Sequence, residues 1–180
     1  MSQKCHFNLR PYQQECLASI PEQGSYLVCM ATGLGKSLTF SRIPRRGRML
    51  ILSHRDELVN QPEKYFDCSF GVEQGSKMSH GEEIVSASVQ SLVRRLNKFS
   101  PDDFDVIICD EAHHSTARTY RTIFDYFTPR LLLGFTATPN RNDGVGLQEI
   151  YQDIIFERDL RWGIENGFLR ACSVSPEIMI

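Results

Sequence analysis

The octapeptide MATGLGKS, residues 30–37, has the residue types of a loop that binds phosphate. It directly follows the apolar run SYLVC and supplies Gly35, Lys36 and Ser37 of the pattern G-x-x-x-x-G-K-[ST], although Met30 stands in place of the first glycine. In such a loop, glycines let backbone N–H groups face an anion, the lysine reaches terminal phosphates and the serine hydroxyl can bind Mg²⁺. The stretch by itself is equally compatible with a structural turn.

A pair of carboxylates, Asp110 and Glu111, follows the apolar run VIIC and opens the tetrapeptide DEAH. One carboxylate can hold Mg²⁺ while the other orients or deprotonates a water molecule; the alternative is a helix N-cap. Phosphoryl transfer needs a phosphate cradle, a metal carboxylate and a water-positioning group together. Because the GKS loop lies upstream, on what we predict to be a neighbouring strand, the pair favours nucleotide hydrolysis.

Two other chemistries are not supported by the spacing of the residues. The adjacent His113 and His114 do not share a face of a helix, and the sequence has no H-x-x-x-H spacing that would suit zinc. No G-x-S-x-G stretch is present, so a serine hydrolase is not indicated.

Short apolar runs recur along the chain and predict the strands that must position these residues. They are continuous rather than alternating, which is typical of strands covered on both faces. Stretches with helical patterns, SLTFSRI, DELVNQ and TYRTIFDYF, lie between them, although Pro62 should kink or end the second. We therefore predict an α/β fold with a mostly parallel sheet and helices on both faces. The predicted strands are Tyr26–Met30, Met49–Leu52, Ile84–Val89, Val106–Cys109 and Leu131–Phe135.

The polar and glycine-containing stretches directly follow these apolar runs, as in SYLVC-MATGLGKS, MLIL-SHRDE, VIIC-DEAHH and LLLGF-TATP. They therefore belong at the carboxyl ends of the strands. In an open parallel sheet those ends form one crevice, which is where such folds bind ligands.

Composition limits the class of protein. The 180 residues are 41% hydrophobic, which suits a single domain over residues 1–180. A net charge of −2 excludes a strongly basic nucleic-acid-binding protein but leaves room for a local basic groove. Six irregularly spaced cysteines without a C-x-x-C pair predict a reduced protein, and no apolar stretch approaches the roughly 20 residues that span a bilayer. We expect a cytoplasmic protein with no membrane partner.

Six stretches in this order resemble the first motor domain of superfamily 2 helicases and translocases: LRPYQ, MATGLGKS, SHRDELVNQ, SVQSL, DEAH and TATP. The stretch TATPNRNDG is most similar to the group that contains XPB-type, RadD-type and restriction-enzyme-type DNA translocases. Met30 is normal in this family's version of the phosphate loop. The resemblance implies a RecA-like P-loop NTPase fold that uses ATP and Mg²⁺.

The resemblance also implies a nucleotide site. Gln13 would read the adenine edge and Arg10 would pack on the ring; the alternative is a surface helix that starts after Pro11. Ser37 and Asp110 would hold Mg²⁺, and Glu111 would act on water, so that Lys36, Asp110 and Glu111 are the expected catalytic residues. The loop residues expected to bind ATP are Thr32, Gly33, Leu34, Gly35, Lys36 and Ser37.

By the same resemblance, a nucleic-acid backbone would contact Ser53, His54, Arg55, Gln90 and Ser91. His113, Thr136 and Thr138 would couple the nucleotide to the nucleic acid, although TATP is also compatible with a strand end before a proline turn. Duplex DNA is the favoured partner; an RNA-directed enzyme and a nucleotide-dependent binding module that never translocates are the alternatives. The basic clusters Arg42, Arg45, Arg46 and Arg48, and Arg94, Arg95 and Lys98, are more typical of solvated loops than of a groove.

The family places ATP between two RecA-like domains, and the second domain carries a Q-x-x-G-R-x-x-R stretch that supplies arginines to the nucleotide. The chain has no such stretch. After TATP it offers an apolar run at Ile154–Phe156, a helix-like segment ending at Asn166-Gly167, and CSVSPEIMI, which predicts the start of a further strand. We expect this chain to be the N-terminal half of a motor whose second RecA-like domain lies outside it.

Overall fold

The computed structural model describes residues 7–137 and 144–171. Within these ranges seven strands form one sheet: β1 (Gly24–Met30), β2 (Arg48–Ser53), β3 (Phe70–Glu73), β4 (Ile84–Ser88), β5 (Phe104–Asp110), β6 (Leu131–Thr136) and β7 (Asp153–Arg158). The α-helices are α1 (Pro11–Ala18), α2 (Lys36–Ser41), α3 (Val89–Leu92), α4 (Arg118–Tyr126), α5 (Gly144–Ile150) and α6 (Leu160–Glu165). None of the described helices is long and apolar enough to cross a membrane.

The strands lie in the order β3-β4-β2-β5-β6-β1-β7, and all the pairings between them are parallel. Helices cover both faces. The layer on one face contains α1, α2 and α6, and the layer on the other contains α3, α4 and α5. The predicted α/β class is confirmed.

Continuous apolar runs mark the central strands because alternate side chains enter different layers. On β5, Ile108 packs into the layer with α1 and α2, whereas Ile107 and Cys109 pack into the layer with α4. All three side chains are fully buried. Burying one large aliphatic side chain contributes about 1.5–3 kcal/mol of stability. Because its side chains alternate between the two layers, each central strand stabilises both cores.

The other predicted strands lie within one or two residues of the observed bounds, but two predicted elements differ in a way that has a physical reason. The stretch DELVNQ forms no α-helix but two 3₁₀ turns, Asp56–Leu58 and Gln61–Tyr65, because the Pro62 ring would clash with the carbonyl of Leu58 in a continuous α-helix. The strand predicted to end at Val89 ends at Ser88, which instead caps α3: its Oγ accepts a hydrogen bond from the N–H of Ser91 at 3.3 Å.

The edge strand β3 was not predicted, because FGVE is short and only its alternate residues are buried. The apolar run at Ile154–Phe156 does form a strand, β7, at the opposite edge. The helix that follows is α6, and Gly167 beyond it has a φ of 77°, which suits the predicted glycine stop. The strand predicted in CSVSPEIMI and the predicted site residue Thr138 lie outside the described residues.

β3 ends at Glu73, a fully buried carboxylate. Its oxygens accept hydrogen bonds from Arg95 at 2.8 Å, from Lys98 at 2.5 Å and from the backbone and hydroxyl of Ser79 at 2.8 and 2.7 Å. Burial alone would raise the pKa of Glu73, but the hydrogen bonds from Lys98, Ser79 and Arg95 outweigh it and lower the pKa to about 2. Arg95 and Lys98 are therefore partners of a buried charge rather than solvated loop residues.

The first basic cluster lies at the opposite end of the strands from the loops described below. Three of its four arginines form ion pairs near the start of β2: Arg45 with Glu83, Arg46 with Glu22, and Arg48 with Asp103. These pairs agree with the expectation that the cluster is not a groove.

Candidate nucleotide and nucleic-acid site

Helix α1 holds the phosphate-type loop that follows β1. The carbonyl oxygen of Leu34 accepts hydrogen bonds from the Tyr12 hydroxyl at 2.7 Å and from Nε2 of Gln13 at 3.0 Å. The other end of the Gln13 amide, Oε1, accepts the backbone N–H of Arg10 at 2.8 Å. Gln13 is buried, so its amide joins the start of α1 to the loop. The role of Tyr12 was not predicted, although Tyr12 lies within LRPYQ, a stretch that the family resemblance already connected with the nucleotide.

The loop depends on two glycines in the left-handed region. Gly33 has a φ of 91° and Gly35 a φ of 82°. A Cβ on Gly35 would also lie 2.4 Å from Nε2 of Gln13, so a side chain at this position would displace the amide. Leu34 between them is fully buried, whereas Thr32 and Gly33 are exposed. The loop is thus anchored at Leu34 and presents its apex to solvent.

The prediction that the GKS loop and DEAH follow neighbouring strands is wrong. β6 lies between β1 and β5, with Cys29 of β1 beside Thr136 of β6, and Phe135 beside Asp110 of β5. The chain leaves β1 through α2 and re-enters the sheet at β2, beyond both β6 and β5. Sequence order cannot show this, because later strands fill the positions between.

The side chains nevertheless meet above the carboxyl end of β6. Nζ of Lys36 lies 3.9 Å from Oε1 of Glu111. Oε2 of Glu111 lies 3.4 Å from Nδ1 of His113, which is 3.3 Å from the Thr136 hydroxyl. Residues of GKS and DEAH and Thr136 at the end of β6 therefore form a single cluster.

Glu111 has a strained backbone. Its φ of 55° and ψ of 54° place it in the left-handed region, and no other non-glycine residue in the described ranges has a positive φ. An L-residue other than glycine pays roughly 1–2 kcal/mol for this conformation. Strain of this kind clusters at functional sites, where the surrounding structure holds it in place. No residue type in DEAH signalled it.

The neighbouring Asp110 is half-buried at the end of β5, and one of its oxygens accepts the backbone N–H of Glu111 at 3.0 Å. Burial raises the pKa of the Asp110 carboxyl, the charge of Lys36 opposes this, and Glu111 adds to it. A bound divalent cation would stabilise the ionised form. A carboxylate such as Asp110 and a hydroxyl such as that of half-buried Ser37 are oxygen ligands that suit Mg²⁺, which keeps several of its waters. The residues thus fit the metal.

Clusters of three or more His, Cys, Asp or Glu residues arranged to hold a metal ion do not occur in the described part of the chain. His113 and His114 instead contact each other through their rings, at a centroid distance of 4.2 Å.

The residues expected to contact nucleic acid lie at the ends of β2 and β4, which are neighbours, with Ser53 opposite Ser88. His54, Arg55 and Gln90 are exposed, and Nε2 of Gln90 lies 3.4 Å from the carbonyl oxygen of His54. Ser91 is half-buried, and its hydroxyl accepts the backbone N–H of Gly75 at 3.0 Å.

Ser53 differs from these residues. It is only 1% exposed, and its hydroxyl has no hydrogen-bond partner among the described atoms. The hydroxyl cannot touch an outside strand in this conformation, whereas the side chains of His54 and Arg55 can.

Comparison with protein families decides the identity of the domain. The family model described as "Type III restriction enzyme, res subunit" matches residues 6–141. The chain belongs to this family. As a res-subunit family member it is the first RecA-like domain of a superfamily 2 protein, which confirms the resemblance drawn from the six sequence stretches.

Relatives of this res-subunit domain include IRC3 of Saccharomyces cerevisiae, by name an ATP-dependent helicase. It is 35% identical over 191 residues, covering 89% of this chain and 28% of IRC3. The EcoAI endonuclease subunit of a type I restriction enzyme from Escherichia coli is 31% identical, covering 82% of this chain and 21% of that protein. The chain spans less than a third of either relative.

Solved structures confirm the fold. The helicase domain of Hef from Pyrococcus furiosus superposes with a TM-score of 0.70 at 22% identity, covering 84% of this chain and 38% of that one. At this identity the likeness concerns the RecA-like fold alone. It agrees with the parallel sheet of the res-subunit domain.

Proposed function

We propose that this chain is the ATP-binding and ATP-hydrolysing first motor domain of a DNA helicase or translocase. The observation that carries the proposal is the 3.9 Å approach of Lys36 to Glu111. It brings the lysine of a phosphate-type loop and the carboxylates of DEAH to one edge of the sheet. An inert scaffold has no need of this combination, whereas phosphoryl transfer requires it.

Each residue has a proposed role. Backbone amides around Gly33 and Gly35, with Lys36, would bind the phosphates of ATP. Ser37 and Asp110 would hold Mg²⁺, which neutralises phosphate charge when bound. Glu111 would orient a water molecule and accept its proton.

The ion pair between Lys36 and Glu111 suggests how the site responds to ATP. Phosphates would take Lys36 as their partner, and the carboxylate of Glu111 would then be available to the water. The adenine contact proposed for Arg10 is supported by position, because exposed Arg10 caps the helix that Gln13 joins to the loop. Buried Gln13 would have to exchange one of its present hydrogen bonds, to Leu34 or Arg10, for one to the adenine edge.

Nucleic acid is the proposed partner of the edge formed by His54, Arg55, Gln90 and Ser91. Contacts of this sort would be made with the phosphate backbone and would position a strand without reading its sequence. Duplex DNA is favoured because a type I restriction enzyme subunit is among the relatives of this chain. His113 and Thr136 would couple this edge to the nucleotide.

A second RecA-like domain in the full-length protein is part of the proposal, since the chain spans 28% of IRC3 and 21% of the EcoAI subunit. That domain would supply the arginine that neutralises charge on the transferring phosphoryl group, worth about 10³–10⁵ in rate in related systems. A reducing compartment, the cytoplasm, is proposed because Cys16, Cys29, Cys68 and Cys109 are free thiols.

The test measures ATP hydrolysis by the full-length protein alone and with duplex DNA, single-stranded DNA or RNA. We expect duplex DNA to stimulate hydrolysis most. Stimulation by RNA alone would replace DNA with RNA in the proposal, and ATP binding without hydrolysis under all conditions would favour a binding module. Lys36→Ala should abolish turnover, while Lys64→Ala, which removes an exposed lysine elsewhere, should not. Full activity of Lys36→Ala would overturn the assigned site.

A further inference from the structure

A row of three histidine rings connects the ends of β5 and β2. The rings of His113 and His114 are 4.2 Å apart between centroids. The ring of His114 stacks on that of His54 at 4.3 Å, with an angle of 23° between the planes. His113 and His114 follow β5, whereas His54 follows β2, its neighbour in the sheet. The row therefore crosses from one strand end to the next.

Both ends of the row make polar contacts. At one end, Nδ1 of His113 lies 3.4 Å from Oε2 of Glu111 and 3.3 Å from the Thr136 hydroxyl on β6. At the other end, the carbonyl oxygen of His54 accepts a hydrogen bond from Gln90, at the end of β4, at 3.4 Å. Groups at the ends of four consecutive strands, β6, β5, β2 and β4, are thus in contact in series.

The central ring belongs to none of the roles assigned above. His114 is half-buried, and burial, followed by the charges of His113 and His54, lowers its pKa. A ring with a lowered pKa is neutral near pH 7 and can stack without charge repulsion. Aromatic rings attract one another at centroid separations of about 4.5–7 Å or slightly less when stacked, so a ring displaced beyond this range loses the contact.

We propose that His114 is a positioning residue whose ring, stacked on that of His54 and in tilted contact with that of His113, makes the placement of His54 and Arg55 depend on the contact between His113 and Glu111. This inference rests on the proposed function, because it requires a nucleotide at Glu111 and a nucleic acid at Arg55. When phosphates take Lys36 away from Glu111, the carboxylate and His113 rearrange together. The three rings in contact carry that rearrangement to the loop after β2.

The consequence is a coupling between two equilibria. Coupling of this kind typically changes affinity about 5- to 150-fold, and it is the same in both directions. It is measured as the ratio of two Kd values for a fluorescein-labelled duplex DNA, one without and one with a saturating non-hydrolysable ATP analogue. The full-length protein is used for all measurements.

Three substitutions at this position test the role of the ring. In His114→Ala and in His114→Leu, which nearly keeps the volume but has no flat ring, we expect the ratio to fall to within about twofold of unity. ATP hydrolysis without DNA should stay close to that of the parent, because His114 does not touch the reacting groups. His114→Phe restores a flat ring and should retain most of the coupling. His80→Ala, at an exposed histidine outside the row, is the matched control and should behave as the parent.

The outcomes separate this inference from the proposed function. A parent protein that binds neither ATP nor nucleic acid contradicts the proposed function, and the inference falls with it. A parent that binds both, with a ratio of unity or with the parent ratio retained in His114→Ala and His114→Leu, overturns the inference alone. Equal loss of coupling in His114→Phe and His114→Leu shows that the stacked ring is not responsible, and also overturns it.

Discussion

Lys36 and Glu111 lie 3.9 Å apart although β6 separates β1 and β5, the strands that precede them in the chain. Their side chains are 13% and 28% exposed, so the pair sits in a partly enclosed crevice rather than on open surface. In this structure the two side chains form an ion pair with each other. Nucleotide binding therefore has to exchange one ionic partner for another, and the predictions below follow from that relationship and from its surroundings.

Glu111→Gln should leave ATP binding largely intact and reduce turnover by about 10²–10⁴, because the amide keeps the shape but cannot accept a proton from water. The measurement is a nucleotide Kd together with kcat in the full-length protein. Glu63→Gln, at an exposed glutamate, is the control. Parent turnover in Glu111→Gln would show that another group serves as the base.

The backbone of Glu111 provides an independent test, on stability rather than rate. Glu111→Gly and Glu111→Ala both remove the carboxylate, but only glycine adopts a φ of 55° without strain. We expect the glycine variant of the 180-residue chain to be more stable than the alanine variant by about 1 kcal/mol. Urea unfolding of the two variants measures the difference. Equal stability would mean that the left-handed conformation is absent in solution.

Arg55→Ala should weaken nucleic-acid binding by a similar factor for every sequence tested and lower the slope of log K against log salt by about 1, because one phosphate contact is lost. Fluorescence titrations over a range of salt concentrations provide both quantities. Arg46→Ala removes an exposed arginine that is paired with Glu22 at the other end of the sheet, and should change neither. An unaltered slope in Arg55→Ala would place Arg55 outside the interface.

Glu73 makes stability depend on pH at the β3 edge. Its pKa in the folded chain, about 2, lies below the ordinary value of 4.5, so the stabilisation is complete above about pH 4.5 and is lost as the pH falls through about 2. We expect Glu73→Gln to lower the free energy of unfolding by roughly 3 kcal/mol at pH 7, with the difference from the parent narrowing between about pH 4.5 and 2.

Urea unfolding of the 180-residue chain at a series of pH values tests this. Glu83→Gln is the matched control, because the Glu83 pair with Arg45 is on the surface and should contribute less than about 1 kcal/mol. A difference between Glu73→Gln and the parent that stays constant down to pH 2 would show that the charge of Glu73 is not what stabilises the edge.

The sequence determined the class of fold and indicated the residues that we propose for the nucleotide site. The central strands could be predicted from the sequence because both of their faces are covered, which makes runs such as VIIC apolar at every position. The residues GKS, DEAH and TAT were placed at strand ends by the simple fact that each follows such a run. Local patterns of this kind depend on neighbours in the chain, and are therefore readable without a structure.

The tertiary structure alone decided how those stretches meet. The insertion of β6 between β1 and β5 depends on pairings between residues more than a hundred positions apart, such as Cys29 and Thr136, which no local pattern encodes. The left-handed backbone of Glu111 and the stacking of His54 on His114 likewise arise from contacts between strand ends. The short edge strand β3 escaped notice because only its alternate residues are buried, and the partners of its buried Glu73, such as Arg95 and Lys98, lie more than twenty residues further along the chain. Residue types thus indicated the chemistry, while the order of the strands fixed the distances over which that chemistry can act.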